Sequence, residues 1–190
     1  VCVDTETTSL DYMSARLVGI SIAVDPQNAA YIPFGHDYLG APAQLSEKYV
    51  LSELKPILED KCIKKVGQNI KYDLSVLSQH GIDMQGVFFD TMLQSYVLDA
   101  TATRHDMDTL AAKHLNYSTI KFEDIAGTGS SQLTFNQIPL EKAAPYAAED
   151  ADISLRLFNA LDCRVRSEDS LLKLYNDIEM PLIAVLSRME

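Results

Sequence analysis

Tryptophan is absent from these 190 residues, glycine and proline number only 8 and 7, and the three cysteines, Cys2, Cys62 and Cys163, are scattered. An odd, widely spaced set without a Cys-x-x-Cys pair excludes a disulfide framework and the usual zinc or redox motifs, and reads as free thiols in a reducing cytosol. No apolar run approaches the roughly twenty residues that span a bilayer, and no basic-then-apolar leader opens the chain. The expectation is a soluble, cytoplasmic protein. No internal repeat or low-complexity tract occurs. Basic residues are also scarce, 16 Lys and Arg against 27 Asp and Glu, for a formal charge of -11. Backbone affinity for nucleic acid normally comes from cations that neutralise phosphates, so this balance argues against a generic nucleic-acid binder. Acids that hold divalent ions would account for part of it, because bound ions reverse the local field.

What is present suffices for one domain with a real core, at 47% hydrophobic content. Val1 to Val3 runs apolar into Asp4 and reads as a strand entered part-way along, so the chain is expected to be a fragment. Arg16 to Val24 alternates, with Val18, Ile20, Ile22 and Val24 on one face and Gly19, Ser21 and Ala23 on the other; Ala30 to Phe34 reads as a further strand. Ser46 is placed to cap a helix with the stripe Val50, Leu51, Leu54, Ile57 and Leu58, which Pro56 is expected to kink or divide. Strand Ile63–Val66 feeds a helix from Asn69 to a stop at Gly81, and strand Val87–Phe89 feeds a helix over Thr91–Leu98. Helices are expected over Asp108–Leu115 and Leu140–Leu161, an irregular stretch over Ile125–Thr134, and a helical tail over Ser167–Glu190 interrupted at Pro181. Strands first and then alternating helices and strands predict an α/β domain, a mixed sheet flanked by helices with antiparallel early strands.

Three stretches carry chemistry. Asp4 and Glu6 stand two apart on a strand and share a face; Asn69 and Asp73, and likewise Tyr146 and Asp150, are four apart on expected helices. Converged, Asp4, Glu6, Asp73 and Asp150 would crowd four carboxylates that raise one another's pKa values. Divalent ions resolve the conflict, and hard oxygen ligands suit Mg²⁺ or Mn²⁺, two of which can clamp the attacking and leaving oxygens of a phosphodiester displacement. Singly, the parts have plainer readings: Asn69 as a helix cap, Tyr146 and Asp150 as a surface hydrogen bond. The four histidines, His36, His80, His105 and His114, lack zinc spacing, and Gly127-Thr128-Gly129-Ser130-Ser131 lacks the Lys-Ser/Thr ending of a phosphate loop.

The ordered set, with Tyr146 four residues before the last Asp, resembles the three motifs of the DEDD exonucleases in their Tyr subgroup. The runs DTETTSLD, YIPFGHDYL, VGQNIKYDL, FDTMLQSYVLD, RHDMDTLA, LTFNQI and YAAEDADI resemble the 3′→5′ proofreading domain of bacterial DNA polymerase I. The resemblance implies a ribonuclease-H-like fold, hydrolysis of the 3′-terminal phosphodiester of single-stranded or frayed DNA with release of nucleoside 5′-monophosphates, and two Mg²⁺ ions for which Mn²⁺ can substitute. It implies that Asp4, Glu6 and Asp150 hold one ion, that Asp73 acts on a second through water, and that Tyr146 orients the attacking water. Gln68, Asn69 and Tyr72 resemble family positions near the terminal nucleotides; Leu10 is expected to wedge against the last bases, Phe122 to stack on one, and Arg104 with His105 to reach a phosphate. Residues 1–163 would form the exonuclease domain with its first strand truncated, and 164–190, ending in IEMPLIAVLSRME, a helical segment resembling the start of a polymerase domain in the same full-length chain. The setting implied is the bacterial cytoplasm, at the nucleoid. Rival readings are a ribonuclease-D-like or repair exonuclease with the same acids, and a catalytically silent scaffold module of a polymerase.

Overall fold

The computed structural model describes residues 1–101 and 104–189. Five strands, β1 (Cys2–Thr7), β2 (Leu17–Asp25), β3 (Asn28–Pro33), β4 (Lys65–Gly67) and β5 (Val87–Asp90), form one sheet in the order β3-β2-β1-β4-β5. β1, β2 and β3 pair antiparallel, whereas β1–β4 and β4–β5 pair parallel. This is the mixed sheet that the strand-then-helix order predicts, since the parallel pairs each need a crossover and the antiparallel ones only a turn. The helices are α1 (Glu47–Leu58), α2 (Ile70–Gln79), α3 (Thr91–Leu98), α4 (Met107–Leu110), α5 (Phe122–Ala126), α6 (Leu140–Arg166), α7 (Asp169–Leu174) and α8 (Met180–Met189). Among the described residues no helix is long and apolar enough to cross a membrane.

The two sheet faces are packed differently, and that difference positions the site. Val3, Leu17 and Ile20 cluster with Val50, Leu54 and Leu58 of α1, Ile70, Val76 and Leu77 of α2, and Ile183 of α8. On the opposite face Cys2, Asp4 and Glu6 lie beside Ala23, Ser21 and Gly19 of β2, a strip of small residues. Against it lies α6, whose Ala143, Ala147 and Ala151 recur every four residues and are fully buried. Small side chains on both surfaces let a 27-residue helix settle close to the sheet.

Some local expectations change. Pro56 does not divide α1, which runs unbroken through it; it sits in the last turn, where one lost backbone bond is tolerable, and Ser46 caps the start by accepting from Tyr49 N at 3.3 Å. Val18 does not share a face with Ile20. A register shift between Glu6 and Thr7 pairs them with Gly19 and Leu17, and the skipped Val18 turns to the α6 side among Phe135, Ala143 and Ala147. Asn69 is not on the helix of Asp73 but just before it, in the left-handed region at φ 58° with no side-chain cap bond. The Asp108–Leu115 helix is one α turn followed by a π turn over Ala111–Leu115, and Phe122–Ala126 is helical where irregular chain was expected from Ile125. Pro181 lies inside α8, and the disturbance falls upstream as a π turn over Tyr175–Glu179; a proline has no N–H for the carbonyl four residues back. All three cysteines are free thiols.

Candidate active site

Strand periodicity places Asp4 and Glu6 together on β1, and the close seating of α6 brings Asp150 to them. The three carboxylates offer oxygens that all lie within 4.8 Å of one another. Glu6 and Asp150 are buried. Burial and neighbouring acids push Glu6 and Asp150 well above the usual carboxylate range, and burial raises Asp4 from 3.8 to about 6. Glu6 Oε1 is buried and has no hydrogen-bond partner. A buried, unpartnered oxygen among like charges is costly unless something positive binds it. These residues therefore fit a hard divalent ion, with all donors oxygen and no sulfur or nitrogen among them.

Asp73 stands apart from that trio. Thr5 projects from the other face of β1, and both its N–H (3.0 Å) and its hydroxyl (2.6 Å) donate to Asp73 Oδ1. Asp73 still feels the charge of Asp4, and with burial this carries it well above the ordinary range. Tyr146 lies one turn before Asp150 on α6, and its hydroxyl and that carboxylate influence one another electrostatically. Burial and the acids push the Tyr146 hydroxyl far up, which removes it as a proton acceptor and leaves orientation as its use. Its ring packs edge-on against Phe122 and tilted against Phe135, each at 6.0 Å between centroids.

Beside the acids runs a cleft of about 580 Å³ lined by Glu6, Leu10, Tyr72, Phe122, Leu133 and Tyr146, among others. Leu10 is 95% exposed over it, and the Tyr72 hydroxyl is engaged with the Ser9 carbonyl and the Thr7 hydroxyl. Gln68 is committed to protein: its amide donates to the His105 carbonyl at 2.8 Å and accepts from the Thr91 hydroxyl. Asn69 is exposed, and its N–H is held by Asp90. Arg104 is exposed and paired with Asp106 at 2.9 Å. The cleft thus gathers Leu10, Tyr72 and Phe122, and not Gln68, Asn69 or Arg104. Thr5, Leu133 and Phe135 escaped the reading of single residues, because an unremarkable Thr and two apolar side chains gain a role only from where the chain returns.

A family of 3′-5′ exonucleases matches residues 1–166 of this chain. The chain belongs to that family. It is 56% identical over its whole length to DNA polymerase I of Pseudomonas aeruginosa and 44% identical to that of Rhizobium leguminosarum, and it spans about a fifth of these relatives, 21% and 20%. It is the 3′-5′ exonuclease domain of the kind that DNA polymerase I homologues carry. Brucella melitensis NrnC with bound Mg²⁺ superposes with a TM-score of 0.71 at 22% identity, over 99% of this chain and 83% of that one. The ribonuclease-H-like α/β fold expected from sequence is therefore the fold present.

Proposed function

We propose that this exonuclease domain removes nucleotides from the 3′ end of single-stranded or frayed DNA, releasing nucleoside 5′-monophosphates, as the proofreading module of a DNA polymerase I whose polymerase body belongs to the same polypeptide. The convergence of Asp4, Glu6 and Asp150 around an unpartnered Glu6 oxygen carries the reading. Those three residues would hold one Mg²⁺ or Mn²⁺, and Asp73, steadied by Thr5, would serve a second. Bound there, divalent ions supply Lewis-acid chemistry, acidifying a water for attack and neutralising charge on the departing 3′ oxygen. Tyr146 keeps its proton and orients the water through its hydroxyl, beside Asp150. Leu10 and Phe122, far apart in sequence but on one lining, suit the wedging and stacking of terminal bases, contacts that tolerate any sequence. The residues 164–190 would begin the polymerase portion, and the setting would be the bacterial cytoplasm.

The intact acids weigh against a silent scaffold. Full-length identity to DNA polymerases weighs for DNA over the RNA of a ribonuclease-D-like enzyme. Incubation of 5′-labelled DNA and RNA oligomers of one sequence with Mg²⁺ or with chelator tests the reading. It expects a ladder shortening from the 3′ end of DNA, faster than on RNA and abolished by chelator. Equal rates on RNA, or no metal-dependent release, would overturn it.

A further inference from the structure

Asp90 lies outside the acid cluster, yet it is 1% exposed and its carboxylate accepts from four backbone N–H groups on two helices. Oδ1 takes Met92 N (2.9 Å) and Leu93 N (3.1 Å), the first turn of α3, and Asn69 N (3.3 Å); Oδ2 takes Ile70 N (2.8 Å), the first residue of α2. One side chain thus satisfies the orphan donors of two helix starts, where a cap ordinarily serves one. The second helix is α2, which carries Tyr72 and Asp73 within its first turn. Asn69, the residue gripped at the junction, holds a left-handed backbone that a non-glycine residue adopts at some cost and keeps only where its surroundings fix it. Asp90 is itself anchored: its N–H donates to the Tyr175 hydroxyl at 2.8 Å, and that hydroxyl donates to the Asp90 carbonyl at 3.3 Å. Tyr175 is 1% exposed and comes from the helical segment after α6.

From this juxtaposition we infer that Asp90 is a positioning residue for the exonuclease site, aiming Tyr72 and Asp73 by holding the start of α2, and that Tyr175 ties that grip to the C-terminal helical segment. The inference rests on the proposed nuclease function. The Asp90 charge is also felt by Asp73 as repulsion. Removing it without moving α2 would ease the crowding of acids, so a loss of rate reports position and not charge.

Asp90→Asn tests this most selectively. Its remaining oxygen can still cap α3, while the amide group turned to Ile70 N presents a donor to a donor. Steady-state release of nucleotides should show kcat lowered on the order of tenfold or more, with KM for the oligomer changed less than twofold. Amide hydrogen exchange should rise at Asn69 to Asp73, whether or not metal is present. Tyr175→Phe, which deletes one oxygen and keeps the buried ring, should lower kcat in the same direction. Ser46→Ala, a cap removed from α1 far from the cleft, should leave kcat within twofold while lowering the thermal midpoint. If Asp90→Asn keeps kcat and exchange at wild-type values, the inference is wrong while the nuclease reading stands. If wild type itself releases no nucleotide, the functional reading fails. Should Asp90→Asn not fold, Tyr175→Phe with unchanged kcat and exchange overturns the coupling.

Discussion

Glu6 concentrates the electrostatics of the site in one side chain. It is buried, feels the charges of Asp4, Asp150 and Asp73, and has one oxygen without a partner. An acid whose folded pKa lies above its unfolded value binds more protons folded than unfolded, so its contribution to stability falls as pH rises through that window. For Asp4 the window runs from 3.8 to about 6, and Glu6, Asp73 and Asp150 shift in the same direction. Metal-free protein is therefore expected to lose thermal stability between about pH 4 and pH 7, and Mg²⁺ or Mn²⁺ at neutral pH to restore several degrees. Calorimetric scans in chelator and in metal check this; a midpoint that rises with pH in chelator contradicts it. The same side chains order the expected kinetic losses. Asp150→Ala should cost on the order of 10²–10³-fold or more in rate, and Tyr146→Phe only about tenfold, because the first removes charge from the reaction centre and the second an orienting hydroxyl. Near-normal rates for Asp150→Ala in Mg²⁺ would contradict the assignment.

At the scale of elements, the reach of Asp150 depends on how close α6 lies to the sheet. The alanines at 143, 147 and 151 face the β2 side of the sheet and are 0% exposed. Ala151→Leu should destabilise the fold by about 1–3 kcal/mol through overpacking and lower the rate by lifting Asp150 from Asp4 and Glu6. A denaturant midpoint and a rate both unchanged would show that the helix has room to spare. Gly86 makes the matching case for the start of β5: at φ +68° an added Cβ would lie 2.5 Å from the Ile63 carbonyl, so Gly86→Ala should destabilise without any group of the site being touched. These elements also show what is legible in sequence. Alternation and spacing locate the five strands and the helices that carry Asp73 and Asp150, because each signal is local. The bulge that turns Val18 to the α6 side is a property of two strands paired, and the double cap at Asp90 needs α2 and α3 to start at one point; neither has a local pattern. The pairing of Thr5 with Asp73 spans 68 residues and is equally invisible until β1 and α2 meet.

The whole molecule sets an acidic chain, formally -11, against the polyanionic substrate proposed for it. Arg104, the cation that the resemblance places near the substrate, is engaged by Asp106. Affinity of this chain for single-stranded DNA should be weak and only mildly dependent on salt, with a slope of about -0.7 to -1.4 in log K against log salt, the equivalent of one or two phosphates neutralised. Fluorescence titrations across a salt series check it, and a steep slope would contradict it by revealing several basic contacts to phosphate. The sequence resemblance named the acids, and the folded chain adds why they need partners: three carboxylates share a space that α6, β1 and their small neighbours hold closed. Anomalous scattering from Mn²⁺ soaked into crystals tests that claim most directly. A peak bounded by Asp4, Glu6 and Asp150 is the expected result, and soaked crystals with those three side chains ordered but no manganese between them would contradict it.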